Sequence, residues 1–244
     1  MKIAAIIPAR YHSIRFKGKP LAMIKGKTMI ERVYRQAARC EKFSDIIVAT
    51  DDQRIARAVE SFGGHVTMTS PDHDSGTERL WEVLENRDFD AVINIQGDEP
   101  LVSEKLISNV FDELNTGTYQ VVTPAYFSTS YADYQSRHVV KVVVSENFQA
   151  LYFSRSPIPF VEETDFSGFF HHIGLYGYLK RAVEIFIKLP KSRLEKSEKL
   201  EQLRFLENNI PIKVIQSEYP SLGVDVPEDI QRIEKMLISR EPDE

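Results

Sequence analysis

The chain has 244 residues, 42% of them hydrophobic and 27% charged, the composition of a globular protein long enough to bury a core as one large α/β domain, with or without a sizeable excursion. A net charge of −5 disfavours nucleic acid or an anionic membrane as a partner, since both reward a basic surface, but leaves room for a local basic phosphate pocket. The single cysteine, Cys40, excludes an intramolecular disulfide and reads as a buried thiol of a reducing compartment; no apolar run approaches the roughly 20 residues of a membrane span, and Pro8 breaks the N-terminal run too soon for a signal peptide, so the expectation is cytoplasmic and not membrane-embedded.

In chain order, Ile3 to Ile7 reads as a buried strand, and Met29, Ile30, Val33, Tyr34 and Ala37 recur at helical spacing. Ile46 to Thr50 is a second strand, followed by a helix through Ile55, Ala56, Val59 and Phe62 that stops at Gly63-Gly64. His65 to Met68 gives a third strand. Ser75-Gly76-Thr77-Glu78 has capping-box spacing and opens a helix through Leu80, Val83 and Leu84. Ala91 to Ile95 is a fourth strand, and a helix runs through Leu106, Ile107, Val110 and Phe111. This alternation predicts a mainly parallel sheet with helices on both faces.

The second half is less regular. Val139 to Val144 and Ala150 to Phe153 read as strands, Pro157 and Pro159 interrupt the chain after them, residues 161–170 read as an exposed loop, and His172 to Tyr178 as one strand. Ser192-Arg193-Leu194-Glu195 opens a helix through Leu200, Leu203 and Leu206; Ile212 to Ile215 is a late strand, and Pro227 suits the first turn of a final helix. The domain reading is a single domain, 1–244, with an excursion over roughly 125–210.

Ligands of such sheets sit beyond the carboxyl ends of the strands, which selects the loops at 8–20, 51–52, 70–79 and 96–100. The first packs Arg10, Arg15, Lys17 and Lys19 around Ser13 and Gly18: forked and point cations beside small residues suit a triphosphate, and a solvated basic loop is the plainer alternative. It is neither a Walker P-loop nor a GxGxxG fingerprint. In Gln96-Gly97-Asp98-Glu99-Pro100, a carboxylate follows an apolar strand, a natural position for a magnesium ligand or for a turn aspartate. Asp225, three residues before Glu228, fits either a helix N-cap or a second magnesium carboxylate. Arg155, His172, Glu201 and Gln202 read, taken singly, as a surface ion pair, a satisfied core histidine and a solvated helix face.

Together these segments resemble the 3-deoxy-manno-octulosonate (Kdo) cytidylyltransferases of Gram-negative bacteria. The resemblance rests on Ile7-Pro8-Ala9-Arg10, Gly18-Lys19-Pro20-Leu21, Ala49-Thr50-Asp51-Asp52, Ser75-Gly76-Thr77-Glu78-Arg79, Gln96-Gly97-Asp98-Glu99-Pro100 and Val140-Lys141-Val142-Val143. Ala150-Leu151-Tyr152-Phe153-Ser154-Arg155, His172-Ile173-Gly174-Leu175-Tyr176, Leu200-Glu201-Gln202-Leu203-Arg204 and Gly223-Val224-Asp225 extend it. Phe16-Lys17 stands where the family usually has Leu-Pro, and Val226 where it usually has Thr; Glu99 stands where relatives acting on 8-amino-Kdo often carry Gln.

The resemblance implies a Rossmann-like nucleotidyltransferase fold and a homodimer whose protruding excursion serves dimerisation. It also implies transfer of CMP from CTP to Kdo for lipopolysaccharide biosynthesis. By the same implication Arg10, Arg15 and Lys19 hold the phosphates and act in catalysis. Pro8, Ala9, Ser13, Ser75, Gly76 and Arg79 bind the nucleotide, in a base pocket that must reject uracil and purines. Asp98 and Asp225 ligate Mg²⁺, and Gln96, Arg155, His172, Tyr176, Glu201 and Gln202 contact the sugar acid. The rivals are the same chemistry on 8-amino-Kdo or another acid sugar, and a non-catalytic nucleotide-binding homologue.

Overall fold

The apolar run after Lys2 forms β1, Ile3–Ala9, and its residues Ile3 to Ile7 are fully buried, as expected of a strand covered on both faces of a parallel sheet. The computed structural model describes residues 1–12, 16–220 and 222–240, the side chains of 238–240 excepted. Contacts divide the chain into two units, Met1–Ser108 with Ser221–Glu244, and Asn109–Pro220; the second takes in the whole 125–210 segment.

In the first unit a 3₁₀ turn, Lys19–Leu21, and a short hairpin of β2 (Met23–Ile24) and β3 (Lys27–Thr28) lead into α1, Met29–Ala38. Thr28 caps α1 by accepting from the Glu31 N–H at 3.3 Å, and the buried Met29, Ile30, Val33 and Ala37 form its inner face. Next come β4 (Asp45–Thr50), α2 (Gln53–Ser61), β5 (His65–Met68), α3 (Gly76–Glu85), β6 (Ala91–Asn94) and α4 (Glu104–Asn115), all where the periodicity predicts them. Parallel pairing of β1 with β4 and β6, and of β4 with β5, gives the order β5-β4-β1-β6. The chain walks outward from β1 to β5, then returns to the other side of β1. The switch point therefore lies between β1 and β6.

The second unit centres on β7, Val121–Ser128, to which the sequence pattern assigns no element because Pro124 stands in its middle. After α5 (Tyr131–Gln135), β8 (Lys141–Val144) and β9 (Ala150–Ser154), β10 (Phe169–His172) begins inside the stretch expected to be a loop, and buries Phe169. The single strand expected over His172 to Tyr178 is two, since β11 spans Tyr176–Leu179. Both run antiparallel to β7, with Ala125 opposite His172 and Val122 opposite Gly177. Three steps on β7 thus face five on its neighbour, and the two extra residues leave the ladder. The Pro124 carbonyl accepts from Ile173 N–H at 3.0 Å, so its missing N–H falls at this interruption, where a proline does least harm.

Then come α6 (Lys180–Lys188), α7 (Arg193–Glu198), α8 (Leu203–Glu207) and β12 (Ile212–Ser217), which pairs in parallel with β7. The capping box at Ser192 and Glu195 is present, yet the single helix expected from it through Leu206 is broken at Lys199, whose φ is 55°. Arg204 and Glu195 explain the break. They form a buried forked pair, Nε to Oε2 at 2.7 Å and Nη2 to Oε1, with the guanidinium 3.8 Å over the Phe186 ring. Nine residues of unbroken helix would put them about 13 Å apart. The chain ends in α9, Asp229–Arg240, and Pro227 lies in the turn before it rather than in its first turn. The outcome is an α/β fold flanked by helices, with the large sheet parallel in the first unit, where only the β2–β3 hairpin is antiparallel among the described residues, and mainly antiparallel in the second.

Replacing Arg204 by Leu leaves Glu195 buried without its fork, and a loss of about 3–5 kcal/mol is expected as a lower urea midpoint. The double variant Glu195→Leu/Arg204→Leu should recover part of it. A single variant within about 1 kcal/mol of the parent contradicts this reading.

Candidate active site

A cavity of about 440 Å³ opens at the carboxyl ends of β1 and β6, the switch point of the first unit. Pro8, Ala9 and Arg10 form one wall, Gln96, Gly97 and Asp98 another, and Lys19, Gly76 and Arg79 complete it with His12 and Pro20. The two walls touch through glycine: a Cβ on Gly97 would lie 2.8 Å from the Pro8 carbonyl oxygen, so only glycine lets these loops approach. Gly76 is different, since a Cβ there meets the Pro8 ring at an ordinary 3.7 Å; its lack of a side chain leaves room rather than relieving a clash.

Lys19 is the link. Gly18 at φ +73° turns the chain into the 3₁₀ segment, and the Lys19 ammonium donates to Asp98 Oδ2 at 2.5 Å and to the Val224 carbonyl at 2.9 Å. The Val224 N–H returns a bond to the Asp98 carbonyl at 2.9 Å. Three loops distant in sequence are thus tied together, and Val224 is sealed into a small core with Ile24, Met29, Leu101, Ile233 and Leu237. Asp225 follows directly. It is not the N-cap of α9: the Asp229 carboxylate accepts from the Asp225 and Val226 N–H groups at 2.8 and 3.0 Å.

Arg79, expected at the nucleotide, is fully buried and spans the ends of β4 and β5, donating to Asp51 Oδ2 at 3.0 Å and to Thr69 Oγ1. It lines the cavity as a brace. Ser75 caps α3, accepting from the Glu78 N–H at 3.2 Å, while the Glu78 carboxylate takes the Asp74 N–H instead of closing the box. Tyr11 anchors the basic loop: its carbonyl accepts from Gly18 N–H at 2.9 Å, and Arg54 stacks 3.3 Å from its ring centroid. Asp52 grips that guanidinium, which holds the Asp52 carboxyl at about 2. Ser13 and Arg15 lie outside the described residues.

The other expected residues belong to the second unit. His172 is buried, its Nε2 3.0 Å from Thr123 Oγ1. That hydroxyl donates towards the Leu175 and Ile173 carbonyls at 2.8 and 3.2 Å, so it accepts from a neutral Nε2–H tautomer. Burial, aided by His171, pushes the His172 pKa down to about 3. Tyr176 packs 5.4 Å from His172 and stacks on Tyr178, and burial pushes its phenol up. Glu201 and Gln202 lie in the turn between α7 and α8, and the buried Gln202 Nε2 has no hydrogen-bond partner. Arg155 is no solvated surface residue: its Nε donates to the Glu198 carbonyl at 3.0 Å and its Nη1 to the Arg137 carbonyl at 3.2 Å.

Sequence reasoning misses four residues. Asp51 stands out only as part of a loop, Thr69 and Glu198 carry no local signal, and Lys141 carries a weak one, being a lone cation in an apolar strand.

A switch-point cavity lined by cations and a carboxylate defines a nucleotide-binding α/β protein. The cytidylyltransferase family model matches residues 4–215, and the chain belongs to that family. It is 45% identical to a 3-deoxy-manno-octulosonate cytidylyltransferase from Thermodesulfovibrio yellowstonii, over 97% of this chain and 98% of that one. It is 46% identical to an 8-amino-3,8-dideoxy-manno-octulosonate cytidylyltransferase from Shewanella sp. strain ANA-3, over 97% and 99%. Among solved structures it is similar to a CMP:2-keto-3-deoxy-manno-octonic acid synthetase complexed with CTP, with a TM-score of 0.94 at 37% identity, over 99% of this chain and 100% of that one. The nucleotidyltransferase fold and enzyme class expected from the sequence are thereby established. No helix among the described residues is long and apolar enough to cross a membrane.

The His172 shift sets a pH dependence. The folded state keeps this imidazole neutral down to about 3, whereas the unfolded chain protonates it near pH 6.5. Below that value the unfolded state binds the extra proton, so stability present at neutral pH falls by up to about 1.4 kcal/mol per pH unit towards pH 3. Denaturation of wild type and His172→Gln at pH 7 and pH 5 should show the larger drop in wild type; equal drops contradict a buried neutral histidine.

Proposed function

We propose that this chain transfers CMP from CTP to the anomeric hydroxyl of Kdo, releasing pyrophosphate. We place it in the cytoplasm as a homodimer whose product feeds lipopolysaccharide assembly. The observation that carries the reading is the Lys19 ammonium held between Asp98 and Val224 at the mouth of the β1/β6 cavity, in a chain whose relatives are named for this reaction. Lys19 and Arg10, with Ser13 and Arg15, grip the triphosphate; Pro8, Ala9, Ser75 and Gly76 border the base, with Arg79 bracing that wall from beneath. Gln96, Arg155, His172, Tyr176, Glu201 and Gln202 take the sugar acid. The forked Arg155 guanidinium suits its carboxylate, and the neutral His172 serves as a hydrogen-bonding wall rather than as an acid or base.

Asp98 and Asp225 suit Mg²⁺. They are hard oxygen donors on loops joined by the Val224 N–H bond to the Asp98 carbonyl at 2.9 Å, and substrate phosphates would complete the shell of such an ion. When bound, the ion supplies Lewis acidity to the α-phosphate and acidifies the attacking hydroxyl. The chain's own residues do the rest. They align the hydroxyl with the α-phosphorus so that a new O–P bond forms as the bond to pyrophosphate breaks. Lys19 and the arginines then neutralise the leaving charge. The 46% identity to a Shewanella 8-amino-Kdo enzyme supports one second reading, the same transfer onto the amino sugar.

Pyrophosphate release from CTP should require Mg²⁺ and be fastest with Kdo, slower with 8-amino-Kdo or N-acetylneuraminate. Asp98→Asn should reduce it at least about a hundredfold without unfolding the protein. Fastest release with 8-amino-Kdo changes the sugar and keeps the mechanism. CTP binding with no release on any of these sugars rejects the proposed transfer.

A further inference from the structure

Lys141 lies in β8 with none of its surface exposed, and its three ammonium hydrogens all go to main-chain carbonyls: Ser136 at 2.6 Å, Val139 at 2.9 Å and Arg155 at 2.8 Å. That exhausts its donors, and no carboxylate is among the acceptors. Burying a cation is costly, and burial lowers its pKa, the nearby Arg155 charge lowering it further while the Glu198 and Asp133 carboxylates oppose that shift without cancelling it. An apolar side chain would fill the same strand position more cheaply, so a role in strand packing alone does not account for the charge.

The three acceptors show what the ammonium organises. One is Arg155 itself. Another, Ser136, precedes Arg137, whose carbonyl accepts from Arg155 Nη1 at 3.2 Å. Glu198 takes the Arg155 N–H at 2.9 Å, the Ser154 hydroxyl at 2.6 Å and, through its own carbonyl, Arg155 Nε at 3.0 Å. Lys141 therefore fixes both the root of the Arg155 side chain and the turn that supplies an acceptor for its tip.

We propose that Lys141 is a positioning residue for Arg155, aiming its guanidinium at the carboxylate of the acid sugar and adding a second positive charge behind it. The proposal rests on the reading of Arg155 as the partner of the sugar carboxylate. It places Lys141 outside contact with either substrate. Its effect passes through Arg155 and touches only the sugar half of the reaction.

The test is steady-state kinetics of the full chain, varying Kdo and CTP separately, for Lys141→Met, Lys141→Gln, Arg155→Ala and Lys141→Met/Arg155→Ala. Lys141→Met should raise KM for Kdo about tenfold or more while KM for CTP stays within about twofold. In the Arg155→Ala background the same substitution should add less than about twofold. Lys141→Gln, an uncharged side chain that still donates to carbonyls, should fall between wild type and Met. The proposal is overturned if Lys141→Met and Lys141→Gln leave KM for Kdo unchanged, if KM rises equally for both substrates, or if the effect persists in full without Arg155. Failure of both single variants to fold overturns it as well, since Lys141 then serves the fold. If instead Arg155→Ala alone leaves KM for Kdo unchanged, the reading of Arg155 itself is what fails.

Discussion

One ammonium group holds the first unit's cavity in shape. Lys19 sits 2.5 Å from Asp98 Oδ2 and 2.9 Å from the Val224 carbonyl, and so joins the loop after β1, the loop after β6 and the segment before α9. Each loop has its own constraint. Gly97 must lack a Cβ beneath the Pro8 carbonyl, Gly18 must take a left-handed turn, and Val224 is pinned in a small core. A charge-assisted bond among half-buried partners is stronger than a surface ion pair, and it fixes Lys19 and Asp98 in the cavity lining before any ligand arrives.

The second unit solves a different problem, how to bury polar groups and keep them oriented. The mismatch between β7 and its two antiparallel neighbours leaves carbonyls at Ile173 and Leu175 that Thr123 answers, and the same hydroxyl fixes the tautomer of His172. Lys141 and Glu198 both hold Arg155, and Glu195 with Arg204 folds α7 against α8, placing Glu201 and Gln202 in the turn between. In each device a polar group with little or no exposure is held by several hydrogen bonds, the condition under which a charge or imidazole inside a protein orients its neighbours instead of unfolding them.

The first half was legible in the sequence because its signals are local and agree. The continuous apolar run of β1, the spacing of Met29, Ile30, Val33 and Ala37, and the cap at Ser75 all act within a few residues. The second half was less so because distant partners decide it. Pro124 hides β7, and its tolerance depends on a ladder interruption made by residues some fifty positions later. The break at Lys199 depends on the Glu195–Arg204 pair. The cavity residues Arg10, Lys19, Gln96 and Asp98 were legible as strand-end polar groups, whereas the burial of Arg79 on Asp51 and Thr69 was not, since an arginine in a capping-box helix reads as solvated until its partners are known.

The central claim is that Lys19 is poised in this cavity for the phosphates of CTP. Titration calorimetry of CTP against wild type and Lys19→Met tests it most directly. The account predicts affinity weaker by about tenfold or more in the variant, the loss expected for a charged donor to phosphate. An unchanged dissociation constant in a folded Lys19→Met protein would contradict it.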